Sequence, residues 1–307
     1  METEETKPPH RGLKKGLYLI PTAFTAANIG MGFLAVLYSI RGFQSVFTNP
    51  EASASYFNYA AIAIGLAILF DTLDGRVARM TRTATEIGVQ FDSLADVLTF
   101  GIAPIALIYS WSIAATFGEH SSAHGFGIFL LFMYLMCGAF RLARFNLQAT
   151  RPRVLIEGTP KIDKKNFVGL PIPPAAGLLA AIVHFAPMPL NTYGESRGQS
   201  YTVLIMVLLA VLGVLMVSTL RYTSFKTAGS GRKNLYLVLI IAAVGMLIWL
   251  YSQYVVLIIA AIYVSHGVFW HLAGLMRPRR KREIEQNDAA PLDGNWKIEG
   301  EMRDKSR

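Results

Sequence analysis

Four carboxylates lie close together in a stretch that is otherwise flanked by apolar residues. The segment 71–96 reads DTLDGRVARMTRTATEIGVQFDSLAD and contains Asp71, Asp74, Asp92 and Asp96. An aspartate at the centre of a membrane helix costs about 2.5–3.5 kcal/mol, so acidic residues inside an apolar span indicate a functional site. Four of them together need a compensating positive charge, and hard divalent cations suit such an all-oxygen cluster.

The spacing of this segment predicts how its residues meet, because positions three and four apart share one face of a helix. On the first predicted helix, five residues share one side: Asp71, Asp74, Gly75, Ala78 and Arg79. The next carries a stripe of Gly88, Asp92 and Asp96. A polar turn at residues 81–85 joins them, so we expect antiparallel packing, with the carboxylates converging at the membrane surface. The small residues admit a bulky ligand, and the arginine offers a fork for a phosphate.

These eight residues form the pattern D-x2-D-G-x2-A-R-x8-G-x3-D-x3-D, which resembles the signature of the CDP-alcohol phosphatidyltransferase family. The resemblance implies that an alcohol attacks the lipid-bearing phosphorus of CDP-diacylglycerol and that CMP leaves. It implies two divalent ions, Mg²⁺ or Mn²⁺, bound by the four aspartates, with Asp96 also acting as general base. The alternative, two membrane helices with unrelated acids at their ends, does not explain why the small residues and the arginine are in register.

The composition excludes an ordinary soluble domain. Of the 307 residues, 53% are hydrophobic and only 16% are charged. The net charge of +9 suggests contact with anionic lipid headgroups and not with nucleic acid. The single cysteine, Cys137, excludes an intramolecular disulfide. The charged N-terminus does not resemble a removable signal peptide.

The apolar runs predict an all-α integral membrane protein with about eight transmembrane helices. The predicted spans are residues 17–40, 56–79, 88–113, 125–144, 170–186, 201–220, 235–251 and 254–275, the last two separated by a turn near Ser252 and Gln253. Of the 29 Lys and Arg residues, 27 lie in the two tails, the motif turn and the loops on the same predicted side, and the other two, Arg41 and Arg197, lie in the loops on the opposite side. The positive-inside rule therefore predicts that both termini and the motif turn are cytoplasmic.

The predicted organisation is a cytoplasmic segment at residues 1–16, a transmembrane domain at 17–275 and a basic, disordered tail at 276–307. In the first span, PTAFTAANIGMG is consistent with helix packing through small residues. The family resemblance implies instead that this helix faces the nucleotide. The residues that it assigns to the CMP pocket are Thr25, Asn28, Gly75, Ala78, Arg79 and Gly88.

Downstream segments point to the acceptor. GAFRLARFNLQ, FVGLPIPPAAG and VSTLRYTSFK together resemble the serine-using subfamily, the phosphatidylserine synthases. This resemblance implies that L-serine is the acceptor and that Arg141, Arg144 and Asn146 bind it. The arginines are also explained by positive-inside anchoring of a helix end. The family further implies a homodimer in the cell membrane, with the active site facing the cytoplasm.

Other interpretations remain open on the sequence. The shared motif does not separate serine from glycerol phosphate, inositol phosphate or choline as acceptor. A transporter or channel would spread its charges through several spans, whereas here they cluster at one turn. A lipid-binding scaffold would not need all eight motif residues. His120 and His124 are expected to be solvated in an outer loop.

Overall fold

The computed structural model describes residues 11–81, 86–150, 166–218, 221–223 and 232–275. Within these ranges the chain is helical apart from two three-residue strands and short connections, which confirms the predicted all-α membrane architecture. The main elements are α1 (Arg11–Ser45), α2 (Pro50–Thr81), α3 (Glu86–Asp96), α4 (Ala103–Ile108), α5 (Ala114–Thr116), α6 (Ser122–Thr150), β1 (Asn166–Val168), α7 (Ile172–Phe185), α8 (Glu195–Val217), β2 (Arg221–Thr223) and α9 (Arg232–Leu275). A 3-10 turn, Leu190–Tyr193, precedes α8.

Six helical segments of the described residues are long and apolar enough to cross a bilayer. They are Ala23–Ser45, Pro50–Val77, Gly88–Thr116, Ser122–Leu147, Glu195–Val217 and Leu250–Gly267. They overlap six of the eight predicted spans. The predicted spans at residues 170–186 and 235–251 have a different outcome.

The span predicted at residues 170–186 forms the shorter helix α7, which has 14 residues. At 1.5 Å per residue it is about 21 Å long, shorter than the hydrocarbon core of about 30 Å. Its buried residues include Ala175, Leu179 and Val183, and the helix packs against α2. A helix that is apolar on all sides is typical of a protein interior. We infer that α7 is a central packing helix.

The last two predicted spans both fall in α9, where two helices meet at the non-helical residue Tyr251 (φ −136°, ψ 45°). The break lies next to the predicted turn at Ser252 and Gln253. Most of the predicted span 235–251 belongs to the part of α9 for which only the backbone is described. Met1–Val268 form one unit, and the described part of the second unit consists of the final residues of α9.

The third span contains two π-helical turns, Val97–Ile102 between α3 and α4, and Tyr109–Ile113 between α4 and α5. The first turn begins directly after Asp96 and buries Thr99, Phe100 and Gly101. The Tyr134 hydroxyl donates a hydrogen bond to the Phe100 carbonyl at 3.2 Å. Such turns are frequent at functional sites, because they change the rotation of one helix segment relative to the next.

The sequence analysis did not predict β1 and β2, which pair antiparallel with Asn166 opposite Thr223 and Val168 opposite Arg221. This ribbon joins the segment before α7 to the segment after α8. Beside it, the Leu170 N–H donates to the Leu215 carbonyl at 3.0 Å. Strands this short have too little alternation of apolar and polar residues to be recognised in a sequence.

The prediction that His124 is solvated is wrong. Its side chain is 4% exposed, and the ring nitrogens lie 3.2 Å from the Phe117 carbonyl and 3.4 Å from the Tyr109 hydroxyl. His124 lies two residues after the start of the apolar helix α6, and the end of the preceding helical segment contacts its ring through the Phe117 carbonyl. His120 is exposed, as expected.

Candidate active site

Three of the predicted metal ligands come together at one end of the bundle. Asp71 of α2 and Asp92 and Asp96 of α3 each offer a carboxylate oxygen, and these oxygens lie within 4.8 Å of one another. Divalent cations bind oxygen at roughly 2.0–2.6 Å, so ligands on opposite sides of one ion are about 4–5 Å apart. The three oxygens therefore have the spacing that a divalent cation needs.

The charges of this cluster favour a bound cation. The carboxylates of Asp71, Asp92 and Asp96 repel one another, and all three are partly buried. Oδ1 of Asp96 is buried without a hydrogen-bond partner among the described residues. Buried anions that lack a partner are costly unless a counter-ion or a ligand completes the site. The donor set and its geometry therefore fit a divalent metal.

The fourth aspartate, Asp74, has a different environment. It is 6% exposed, and the Thr25 hydroxyl of α1 donates a hydrogen bond to Oδ2. Its oxygens are not among the three that lie within 4.8 Å of one another. Its charge nevertheless interacts with those of Asp71 and Asp92. Asp74 thus borders the cluster, and α1 fixes its orientation.

The polar face of α1 continues one turn deeper at Asn28. The side chain of Asn28 is fully buried, and neither its oxygen nor its nitrogen has a hydrogen-bond partner in the described part of the chain. Its main-chain carbonyl accepts a hydrogen bond from the Thr99 hydroxyl at 3.3 Å. Gly32 allows this approach, since a Cβ there would lie 2.6 Å from Thr99 Oγ1. The first π-helical turn is therefore packed tightly against α1.

Two of the predicted acceptor residues on α6 approach α3. Arg141 is 8% exposed, and its charge interacts with that of Asp96. Its Nε has no hydrogen-bond partner among the described residues. The Asn146 Nδ2 donates to Ser93 Oγ at 2.8 Å, directly beside Asp92. Helix α6 thus brings a buried cation and an amide to the acidic end of α3.

Arg144 is the predicted acceptor residue that contacts another part of the protein. It donates from Nη1 to the Val217 carbonyl at 3.2 Å and from Nη2 to the Ser218 carbonyl at 3.5 Å. These are carbonyls at the C-terminal end of α8, where an arginine is favourable because the last carbonyls have no helical partner. Arg144 therefore links α6 to α8.

The remaining predicted residues belong to the same helices. Gly75 is partly buried in α2, and Gly88 is exposed in α3. Ala78 and Arg79 lie within α2, but their side chains are outside the described part of the structure. The prediction that Arg79 faces a phosphate therefore stays a prediction.

The sequence analysis missed three residues of this region: Ser93, Thr99 and Tyr263. Ser93 accepts from Asn146, and Thr99 donates to Asn28. Thr99 lies three residues after Asp96, so extending the acidic stripe by one turn would have found it. Tyr263 of α9 interacts electrostatically with Arg141. A single tyrosine in an apolar helix gives no comparable signal.

Comparison with known proteins agrees with this geometry. A sequence model described as CDP-alcohol phosphatidyltransferase matches residues 18–215. A Helicobacter pylori protein named CDP-diacylglycerol–serine O-phosphatidyltransferase is 35% identical over 224 residues, which are 73% of this chain and 80% of the relative. A Methanocaldococcus jannaschii protein of the same name is 30% identical over 212 residues, 69% of this chain and 83% of the relative.

A third relative carries a different name. The archaetidylserine synthase of Methanothermobacter thermautotrophicus is 36% identical over 159 residues, 51% of this chain and 54% of the relative. The matched family region contains the three clustered aspartates, Asp74 and all three predicted acceptor residues. The chain belongs to the CDP-alcohol phosphatidyltransferase family.

Proposed function

We propose that this protein transfers a phosphatidyl group from CDP-diacylglycerol to the hydroxyl of L-serine, giving phosphatidylserine and CMP. The observation that carries the proposal is the cluster of Asp71, Asp92 and Asp96, whose oxygens lie within 4.8 Å of one another beside the buried cation Arg141. The relatives support serine as the acceptor, since both names that they carry include serine while the lipid differs. The enzyme is a transferase of phospholipid biosynthesis.

The metal ligands in this proposal are Asp71, Asp92 and Asp96, with Asp74 as the fourth. Two divalent ions, Mg²⁺ or Mn²⁺, fit the all-oxygen donor set. When bound, they offset the charge of the diphosphate and of the aspartates and stabilise the attacking and leaving oxygens. Thr25 supports this arrangement, because its hydroxyl holds one oxygen of Asp74 and leaves the other available.

Asp96 acts as the general base. Its Oδ1 is buried and has no hydrogen-bond partner within the described residues, so it is available to accept a proton. A carboxylate is a weak base for a serine hydroxyl, and it therefore takes the proton late, as the new bond to phosphorus forms and the bond to CMP breaks. The interaction with Arg141 keeps an acceptor with a carboxylate close to this base.

The CMP moiety lies against the small residues of α2 and α3 in this proposal. Gly75, Ala78 and Gly88 let the diphosphate approach the backbone, and Arg79 offers two parallel N–H donors to a phosphate. Asn28 contributes its buried amide, which has no partner in the described part of the chain. Thr25 lines the same pocket, where its hydroxyl donates a hydrogen bond to Asp74.

The acceptor serine binds on the α6 side. Its carboxylate pairs with Arg141, which is buried and whose charge interacts with that of Asp96. Asn146 also belongs to this side, because it donates a hydrogen bond to Ser93, the residue next to Asp92. Arg144 contributes from the rim while it caps the end of α8.

The surrounding organisation follows from the loop charges and the family. The acyl chains of the donor remain in the bilayer, and the headgroup meets serine at the cytoplasmic surface of the cell membrane. We propose the segment 1–16 and the tail 276–307 as cytoplasmic flanks of the transmembrane domain 17–275. The enzyme is expected to act as a homodimer, as the family resemblance implies.

The decisive experiment is a CMP-release assay with purified protein and CDP-diacylglycerol in detergent micelles. L-serine, glycerol phosphate, inositol phosphate and choline are offered separately, and the lipid product is identified by mass spectrometry. We expect CMP release with serine alone, its loss in excess chelator and its return with Mg²⁺ or Mn²⁺. Release with another alcohol would replace the acceptor, and release that persists in excess chelator would remove the metal from the mechanism.

A further inference from the structure

The carboxylate stripe of α3 is joined to the core by the first π-helical turn, Val97–Ile102, which begins directly after Asp96. At the end of this turn the Ala103 N–H donates to the Leu98 carbonyl, five residues back instead of four. Such a turn accommodates one residue more than an α-helix, and one residue corresponds to about 100° of rotation. The face on which α3 presents its carboxylates therefore depends on this turn.

Burial fixes the helix that follows the turn. Leu107 and Ile108 of α4 are fully buried, and close packing of the core resists rotation of this helix. Helix α3, in contrast, carries the exposed side chains of Phe91 and Leu94. A change in the turn would therefore rotate α3 and move Asp96 relative to its two partners in the cluster.

A proline within this region removes a backbone donor. In an α-helix the Phe100 carbonyl would accept a hydrogen bond from the N–H four residues later, but that residue is Pro104, which has no N–H. Phe100 is fully buried, and lipid offers no donor to a carbonyl inside a membrane protein. A donor from another helix is therefore valuable at this carbonyl.

Tyr134 of α6 supplies such a donor. Its side chain is fully buried, and its hydroxyl donates a hydrogen bond to the Phe100 carbonyl at 3.2 Å. Helix α6 also lies close at the next residue, since a Cβ at Gly101 would lie 2.7 Å from Leu135 Cδ1. Helix α1 contacts the same turn through the hydroxyl of Thr99. The turn is thus held from both α6 and α1.

We propose that Tyr134 is a positioning residue for the metal site, because its hydroxyl stabilises the π-helical turn that presents Asp96 to Asp71 and Asp92. A phenylalanine at this position would keep the packing of the ring, so the hydroxyl is the informative atom. The inference rests on the proposed function, since it assumes that the clustered aspartates bind divalent metal. It extends that function to a buried residue of α6 outside the acidic motif.

The first test compares Tyr134→Phe with the parent protein. Mn²⁺ binding is measured directly, by electron paramagnetic resonance of the free ion, and CMP release is measured in parallel. We expect the Mn²⁺ dissociation constant to rise about tenfold and kcat to fall by a similar factor, as is typical when a group that orients a metal ligand is lost.

Tyr109→Phe is the matched control, because it removes a tyrosine hydroxyl at the second π-helical turn of the same span. The Tyr109 hydroxyl lies 3.4 Å from His124 Nε2, so this variant also loses a polar contact. Its Mn²⁺ binding and turnover should equal those of the parent. Unfolding midpoints in the same detergent show how much stability each variant loses.

A second substitution tests the role of the hydroxyl by rescue. Pro104→Ala restores an N–H four residues after Phe100. In the variant that combines Tyr134→Phe with Pro104→Ala, this N–H takes the place of the lost hydroxyl, so Mn²⁺ affinity should return towards the parent value. Pro104→Ala alone should have little effect, because Tyr134 still donates.

The outcomes separate this assignment from the proposed function. A parent that releases no CMP with serine overturns the proposed function, while the Mn²⁺ dissociation constants still test Tyr134. A parent that binds no Mn²⁺ overturns the metal site and this assignment together. Unchanged Mn²⁺ binding in Tyr134→Phe, or an equal loss in Tyr109→Phe, overturns the assignment alone.

The double variant keeps the assignment testable if Tyr134→Phe does not fold in detergent. We then expect the double variant to fold and to bind Mn²⁺, because the Phe100 carbonyl again has a donor. Failure of the double variant to fold, or to regain Mn²⁺ affinity, contradicts the assignment.

Discussion

The two ends of the bundle differ in which of their described buried polar atoms lack a hydrogen-bond partner: away from the aspartates these atoms are neutral, whereas at the aspartate end some are charged. We call the connections at residues 46–49, 117–121 and 186–194, together with the helix turns next to them, the far end. There the Trp111 Nε1–H donates to the carbonyls of Ala186 at 3.1 Å and Met188 at 2.9 Å. His184 lies 2.6 Å from Asn58 Oδ1 and 3.0 Å from Ser252 Oγ. These contacts hold the ends of several helices together.

The aspartate end leaves charged atoms without partners. Among the described residues, the buried atoms that lack a hydrogen bond there are Oδ1 of Asp96, Nε of Arg141 and both side-chain atoms of Asn28. The far end also has two described buried atoms without a hydrogen bond, Ser112 Oγ and Asn191 Oδ1, but both are neutral. Charged groups pay far more for burial than neutral ones. The difference therefore indicates that the aspartate end is shaped for ligands and the far end for stability.

The largest expected effect comes from a single carboxylate at the aspartate end. Asp96→Asn should lower kcat about 10²- to 10⁴-fold, because it removes the proposed general base and a metal ligand while keeping the size of the side chain. CMP-release kinetics measure the loss, and CMP binding to the variant shows whether the nucleotide pocket survives. We expect binding to be retained.

Glu195→Gln is the matched control for this change, since it also converts a carboxylate to an amide, at the start of α8 in the far end. Glu195 is exposed, so kinetics and unfolding midpoint should equal those of the parent. Near-normal turnover in Asp96→Asn would contradict the role of Asp96. A loss in Glu195→Gln would contradict the functional division between the two ends.

The sequence predicted the aspartate cluster well, because helix geometry alone decides which residues share a face. Spacings of three and four placed Asp71 with Asp74, and Asp92 with Asp96, and the structure brings three of the four carboxylates together. The separation of Asp74 from this group was not predictable in the same way. It depends on Thr25, 49 residues earlier in the chain, and no local spacing relates the two positions.

The next largest effect tests that contact. Thr25→Val removes the hydroxyl that donates to Asp74 and keeps a β-branched side chain of similar size. Loss of a residue that orients a metal ligand typically costs about 10- to 100-fold in metal affinity or activity. We expect the Mg²⁺ or Mn²⁺ concentration for half-maximal activity to rise by about that factor. If Thr25 contacts only the nucleotide, the KM for CDP-diacylglycerol will rise and the metal requirement will not.

Thr202→Val is its counterpart at the far end, where the Thr202 hydroxyl donates to Thr116 Oγ1 at 3.0 Å. Both threonines are buried and lose one hydrogen bond. The far-end variant should lose about 1 kcal/mol of stability with little change in the metal requirement. A shift of the metal requirement in Thr202→Val as large as in Thr25→Val would contradict the comparison.

Other features escaped the sequence analysis for physical reasons. The charge rule and apolar length predicted the membrane spans, but α7 is surrounded by protein and has 14 residues, fewer than the predicted span 170–186. The first π-helical turn after Asp96 depends on packing of Thr99 against Gly32. The ribbon of β1 and β2 joins positions more than 50 residues apart through three-residue strands.

The smallest expected effect concerns Gly169, which lies between the ribbon and α7. Its φ is +83°, and a Cβ there would lie 2.4 Å from the Met216 carbonyl and 3.0 Å from Arg144 Nη2. Gly194 at the far end has φ +89° but no neighbour within 4 Å of such a Cβ. Both Gly→Ala variants incur backbone strain, and Gly169→Ala adds a clash with main chain, so it should be less stable than Gly194→Ala by about 1–3 kcal/mol. Unfolding midpoints in detergent give the difference. Equal midpoints would show that Arg144 and the end of α8 can move away from a Cβ at residue 169 without loss of stability.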